Sequence, residues 1–161
     1  MSRSDKKVGV SVHVLNGVYE VVQDVSGHLN GTLGETGRLL ALTAANDVPT
    51  LNRMAPYFWR SLEHREAVWP GHDDYKDIRH LIAPVGKAVQ RLYVRFMPYE
   101  IEDIDRIAFA LGKQRAHAVA ALLTMASKDL RVIQLVAPQF QFRSPYSLKR
   151  GSFLWASSPK R

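Results

Sequence analysis

The sequence predicts a mostly helical protein organised around a short two-stranded antiparallel ribbon. Three observations carry this expectation. Residues 91–129 open with a strand-like alternation and then change to helical periodicity. Residues 8–46 run through the same order at a constant offset of 82 residues. One short strand cannot bury its apolar face alone, so the two strands are expected to pair with each other.

Residues 1–7, MSRSDKK, read as a flexible basic arm. In residues 8–14, Val8, Val10, Val12 and Val14 share one face, and Gly9, Ser11 and His13 the other. Adding 82 carries Val10, Val12 and Val14 onto Leu92, Val94 and Phe96. The same offset carries Tyr19, Val22, Val25, Ser26 and Leu29 onto Ile101, Ile104, Ile107, Ala108 and Leu111. Asn30 falls on Gly112, and both residue types tolerate the left-handed cap of a helix. Thr32 and Glu35 form a capping box that opens a helix from Leu33 to about Ala45. Gly37 is the misfit, because it lands on Val119, where a bulky core residue is expected. Either the helices approach closely there, or the register differs by a residue or two. An unrelated strand–helix–helix unit over 8–46 is the alternative to a repeat.

Residues 47–90 form a connector long enough to need structure of its own. Asp47 or Thr50 can cap a helix through LNRMAPYFWRSLEHREAVW, interrupted at Pro56. WPGHDD reads as a turn, and the following stretch as a short helix ended by Pro84. Tyr57, Phe58, Trp59 and Trp69 call for burial in a satellite core, with a protein-interaction surface as the other reading.

In residues 91–129, Leu92, Val94 and Phe96 alternate with Arg91, Tyr93 and Arg95. Pro98 ends the strand. Ile101, Ile104, Ile107, Ala108 and Leu111 line one helix face, and Glu100, Glu102, Asp103 and Asp105 suit the positive end of its dipole. Gly112 closes that helix, and a second runs from about Arg115 to Lys128 with Val119, Leu122, Leu123, Met125 and Ala126 as its apolar set. Residues 130–161 hold a β-like run, RVIQLVAPQFQFR, and then a basic extension. That extension is either an inert tail or a phosphate-binding arm in which Phe153 and Trp155 dock or stack.

A strand, a helix, a Gly turn and a second helix in about 40 residues resembles the ribbon-helix-helix DNA-binding superfamily of Arc and MetJ type. The doubled layout resembles its tandem members, notably accessory factors that bind near transfer origins in conjugation-type DNA transfer. The resemblance implies a tandem ribbon-helix-helix fold closing as an intramolecular pseudo-dimer, monomeric and able to pair on DNA. It also implies a ribbon that enters the major groove of double-stranded DNA. Base-reading candidates are then Arg91, Tyr93 and Arg95 on one strand, and Gly9, Ser11 and His13 on the other. Arginine suits the bidentate contact to guanine O6 and N7. Two unlike strand faces predict an asymmetric site rather than a palindrome. Phosphate-binding candidates are the second-helix starts, Thr32, Leu33 and Gly34 and then Gln114 and Arg115, with Lys149 and Arg150 in the tail.

Composition narrows the function classes. Net charge is +7, and residues 130–161 carry six Lys/Arg and no Asp/Glu, which implies a polyanionic partner. Cysteine is absent, so no disulfide frame, Cys-based zinc site or thiol nucleophile is expected, and a cytoplasmic setting fits. Neither a signal peptide nor a membrane span is expected. His64, His72 and His80 lie near Asp73, Asp74 and Asp77, so a metal hydrolase can be drawn. Their spacing of eight matches no HExxH or HxH pattern, and surface histidines are the plainer expectation, as for His28. His117 is expected on a helix surface or facing DNA. GTLGETG lacks the lysine and spacing of a P-loop. No enzyme activity, cofactor or metal is expected. The leading expectation is a sequence-specific DNA-binding protein, a relaxosome accessory factor or a transcriptional repressor, with a relaxase or regulatory protein as a further partner. The alternative is a structural or interaction module using the aromatic connector and a C-terminal strand.

Overall fold

A computed structural model describes residues 6–142. In chain order these residues form β1 (Val8–Leu15), α1 (Asn16–Leu29), α2 (Leu33–Ala45), α3 (Val48–Met54), a 3-10 turn (Ala55–Tyr57), β2 (Leu62–His64), β3 (Ala67–Trp69), α4 (Arg79–Ile82), β4 (Val89–Phe96), α5 (Pro98–Leu111), α6 (Arg115–Ser127) and α7 (Leu130–Val136). The fold is mostly helical, with two small antiparallel sheets, β1–β4 and β2–β3. No helix among the described residues is long and apolar enough to cross a membrane.

β1 and β4 pair antiparallel, with Val10 opposite Val94 and Ser11 opposite Tyr93. Strand alternation sends Val10, Val12, Val14, Leu92, Val94 and Phe96 into the core. Each such burial stabilises by about 1.5–3 kcal/mol relative to exposure. α2 packs beneath β4 and α6 beneath β1, and the two helices pack on each other. Gly37 makes the first of these contacts close. A Cβ there would stand 3.2 Å from a Leu92 methyl and 3.3 Å from a Val94 methyl. The close approach at Gly37 is thus of α2 to strand β4, not of one helix to another, and the register is kept, since α2 and α6 start 82 residues apart.

Helix ends follow their residues. Asn30 (φ 52°) and Gly112 (φ 68°) are both left-handed caps. Thr32 accepts the Glu35 N–H, while the Glu35 carboxylate turns to Arg38 rather than back to the cap. Pro98 is the first residue of α5, a position where its missing N–H costs no helix bond. Glu100 accepts the Met97 N–H at 2.7 Å and closes that end.

The 82-residue spacing continues past the two expected units. α1, α2 and α3 have 14, 13 and 7 residues, and α5, α6 and α7 have the same lengths, each starting 82 positions later. Asp47 caps α3 and Asp129 caps α7. Each cap is also held by an arginine of the other helix, Arg131 on Asp47 and Arg53 on Asp129. Beyond them Ala-Pro-Tyr-Phe (55–58) and Ala-Pro-Gln-Phe (137–140) make the same turn, with Phe58 N–H donating to the Ala55 carbonyl and Phe140 N–H to that of Ala137. Both phenylalanines are buried. The chain after Phe58 meets the end of α5, where the Trp59 and Arg60 amides donate to the Ala110 carbonyl. Phe140 meets the end of α1, edge-to-face with His28 at 5.1 Å.

Three expectations are corrected. The connector helix stops at Met54; Pro56 supplies no N–H, and the chain turns into the β2–β3 hairpin. The run RVIQLV is a helix, not a strand, because the Asp129 carboxylate accepts the Arg131 and Val132 amides while Val132 and Ile133 face the core. It therefore offers no strand for a partner's sheet. Phe58 and Trp69 are buried and Tyr57 partly so, but Trp59 is 47% exposed.

Candidate nucleic-acid interface

The outer face of the ribbon brings together the strand residues singled out above. Arg95 pairs with Gly9, Tyr93 with Ser11 and Arg91 with His13, and all six are exposed. Core burial of the alternate residues fixes this orientation, because a slip of one residue would turn the arginines inward and the valines out. Tyr93, 54% exposed, sits at the centre of the face with an arginine two residues away on each side.

The start of α2 abuts the ribbon. A Cβ on Gly34 would stand 2.9 Å from the Tyr93 carbonyl oxygen, so only glycine lets the helix start come this close. The first backbone bonds there are Glu35 N–H to the Thr32 hydroxyl and Thr36 N–H to the Thr32 carbonyl. The amides of Leu33 and Gly34 precede them, as orphan donors at the positive end of the helix. At the start of α6, Gln114 is exposed and makes no side-chain cap. Arg115 is not free for a phosphate: its guanidinium donates to Asp105 at 3.0 and 2.8 Å, tying α6 to α5. Lys149, Arg150, Phe153 and Trp155 lie outside the described residues.

Beneath the α2 start lies a charged cluster the sequence did not single out. Glu100 is buried, and its carboxylate accepts from Arg38 Nε at 3.0 Å and from a second Arg38 nitrogen. Arg38 also donates to Glu35 at 2.8 Å. Burial alone would raise the Glu100 pKa, but the Arg38 hydrogen bonds, the Met97 N–H and the Arg38 charge outweigh it and hold the carboxyl below its ordinary range. Arg38 is shifted up, chiefly by its bond to Glu100. The pair joins α2 to the first turn of α5, and so fixes both next to the ribbon.

The histidines do not form a site. His64 is buried rather than on the surface, with Nε2 3.0 Å from Asn46 Oδ1 and Nδ1 3.9 Å from Asp103. Burial lowers its pKa despite the nearby Asp103. His72 and His80 are exposed, and His28 is exposed against Phe140. His117 is half-buried, with a shielded Nδ1 that has no partner. Its pKa is lowered first by burial and then by the charges of Lys113 and Arg79. No group of three or more metal-ligating side chains occurs among the described residues.

Comparison with known proteins gives no match to a family model, to a curated protein or to a solved structure.

Proposed function

We propose that this chain is a sequence-specific double-stranded DNA-binding protein that reads the major groove with the β1–β4 ribbon. The observation that carries the reading is the exposed set Arg91, Tyr93 and Arg95 opposite His13, Ser11 and Gly9, on a ribbon whose other face is core. A two-stranded ribbon fits the major groove, and the arginines suit guanine O6 and N7. In this reading the fold is a tandem ribbon-helix-helix, closed within one chain as a pseudo-dimer. Equal helix lengths at an 82-residue spacing support it, as does the packing of each second helix beneath the strand of the other half. The Leu33 and Gly34 amides, with Thr32 and Gln114, would hold phosphates on either side; Arg115 would do so only by leaving Asp105. The protein has no catalytic step in this account and works in the cytoplasm. Its role is that of an accessory factor at a transfer origin, beside a relaxase, or of a repressor; the doubled layout favours the first.

Binding to cognate and random duplexes at several salt concentrations tests the reading. Arg95→Ala should relax discrimination at one base position by about 1–3 kcal/mol. Unchanged discrimination in that variant contradicts strand readout.

One observation favours a second reading, an interaction module. Exposed Trp59 and Phe109 flank Arg60, whose guanidinium lies 3.9 Å from the Trp59 ring centre and 4.4 Å from that of Phe109, and exposed Tyr75 lies beside Trp59. A protein that co-purifies with a partner through this cluster and has no salt-dependent affinity for any duplex would support it.

A further inference from the structure

We propose that Gly9 is a positioning residue that seats the Tyr93 ring, and that this seat makes the two ends of the ribbon read different base steps. The inference rests on the groove-reading assignment above. Tyr93 pairs with Ser11, so Gly9 is its diagonal neighbour on the same outward face. Diagonal neighbours lie within reach of an aromatic side chain. A Cβ on Gly9 would stand 1.8 Å from the Tyr93 hydroxyl oxygen, 2.5 Å from Cζ and 2.9 Å from Cε1. The phenol therefore lies across the Gly9 backbone, in the space that any larger residue would fill.

The consequence is a face with two unlike ends. One end offers Arg95 with the Tyr93 ring laid beside it, in the place of a first-strand side chain. The other offers Arg91 and His13. A flat phenol presents an apolar surface suited to a thymine methyl, and a hydroxyl that can donate or accept. His13 presents a ring nitrogen instead. Gly9 thus contributes to recognition without touching DNA.

Gly9 is not among the residues with positive φ, so alanine fits its backbone. The three nearest atoms all belong to the far end of a rotatable side chain. Gly9→Ala should then move the ring and leave the fold intact, which makes it a clean test. In the free protein, the Gly9 Hα protons should show a ring-current shift that Tyr93→Leu removes. On the DNA side, duplexes bound from a random pool are sequenced for wild type, Gly9→Ala and Tyr93→Phe, with Arg91→Ala and Arg95→Ala marking the two ends. Gly9→Ala should melt as wild type does and keep the preference at the Arg91 end. It should lose about tenfold of the preference at the Arg95 end. Tyr93→Phe keeps the seat and loses only what the hydroxyl contributes. Identical selected sites for Gly9→Ala and wild type, equal losses at both ends, or no ring-current shift would overturn the proposal. A wild-type protein that selects no sequence at all removes the groove-reading assignment, and this inference with it.

Discussion

Glu100 is the residue on which the ribbon's support turns. It caps α5 through the Met97 N–H and holds Arg38 of α2, all next to the end of β4. Glu100→Gln keeps the size and loses the charge, so Arg38 keeps at most one acceptor oxygen there and its carboxylate partner is Glu35. It should cost about 2–3 kcal/mol of unfolding free energy in denaturant titration. Its folded pKa is depressed, so the stability it adds is present above the ordinary carboxylate range and is lost as pH falls through the folded value. His64 gives a second pH signature. Its folded pKa lies below the ordinary 6.5, so the unfolded chain binds the proton more readily. The His64 contribution is complete above pH 6.5 and is lost as pH falls from there through the folded value. Thermal melts at pH 7.5 and pH 5.5 should differ, and His64→Gln should narrow that difference. The sequence marks the partners of neither residue. Glu100 looked like one more acid in an acidic first turn, and nothing local marks a partner 62 residues away.

At the scale of elements, Gly37 fixes how closely α2 lies under β4. Gly37→Val would push methyl groups into Leu92 and Val94, which already stand 3.2 and 3.3 Å from a Cβ. Overpacking of this kind should destabilise by about 1–3 kcal/mol, measured as a shifted denaturation midpoint. The ribbon pairing and the α1–α2 and α5–α6 units were legible because a period of two or of 3.6 puts valines, isoleucines and leucines on one face, and because Asn30, Thr32 and Gly112 mark the ends. The β2–β3 hairpin was not legible. Its turn is Arg65-Glu66, both at positive φ, in place of the Asn-Gly or Asp-Gly that announces such turns. The run after Asp129 misled for another reason: β-branched residues favour a strand, but a capped start and burial of Val132 and Ile133 decide for α7. The sequence does carry a signal for this helix. Ala-Pro-Tyr-Phe and Ala-Pro-Gln-Phe stand 82 residues apart, and following that spacing past Asp47 assigns α7 from α3.

For the whole molecule, the candidate interface was the most legible part, since strand alternation alone orients Arg91, Tyr93 and Arg95. What the sequence could not give was their surroundings: Arg115 engaged by Asp105, Gly9 lying under Tyr93, and Trp59 left exposed. These depend on contacts between distant segments. The central claim is that the ribbon lies in the major groove and reads bases with arginine. Methylation interference on a selected duplex tests it most directly, because the reagent modifies guanine N7 in the major groove and adenine N3 in the minor groove. Methyl groups on guanine N7 at the two ends of an asymmetric site should block binding, and Arg91→Ala and Arg95→Ala should each relieve the block at one end. Interference confined to adenine N3, or binding indifferent to methylation, would contradict it.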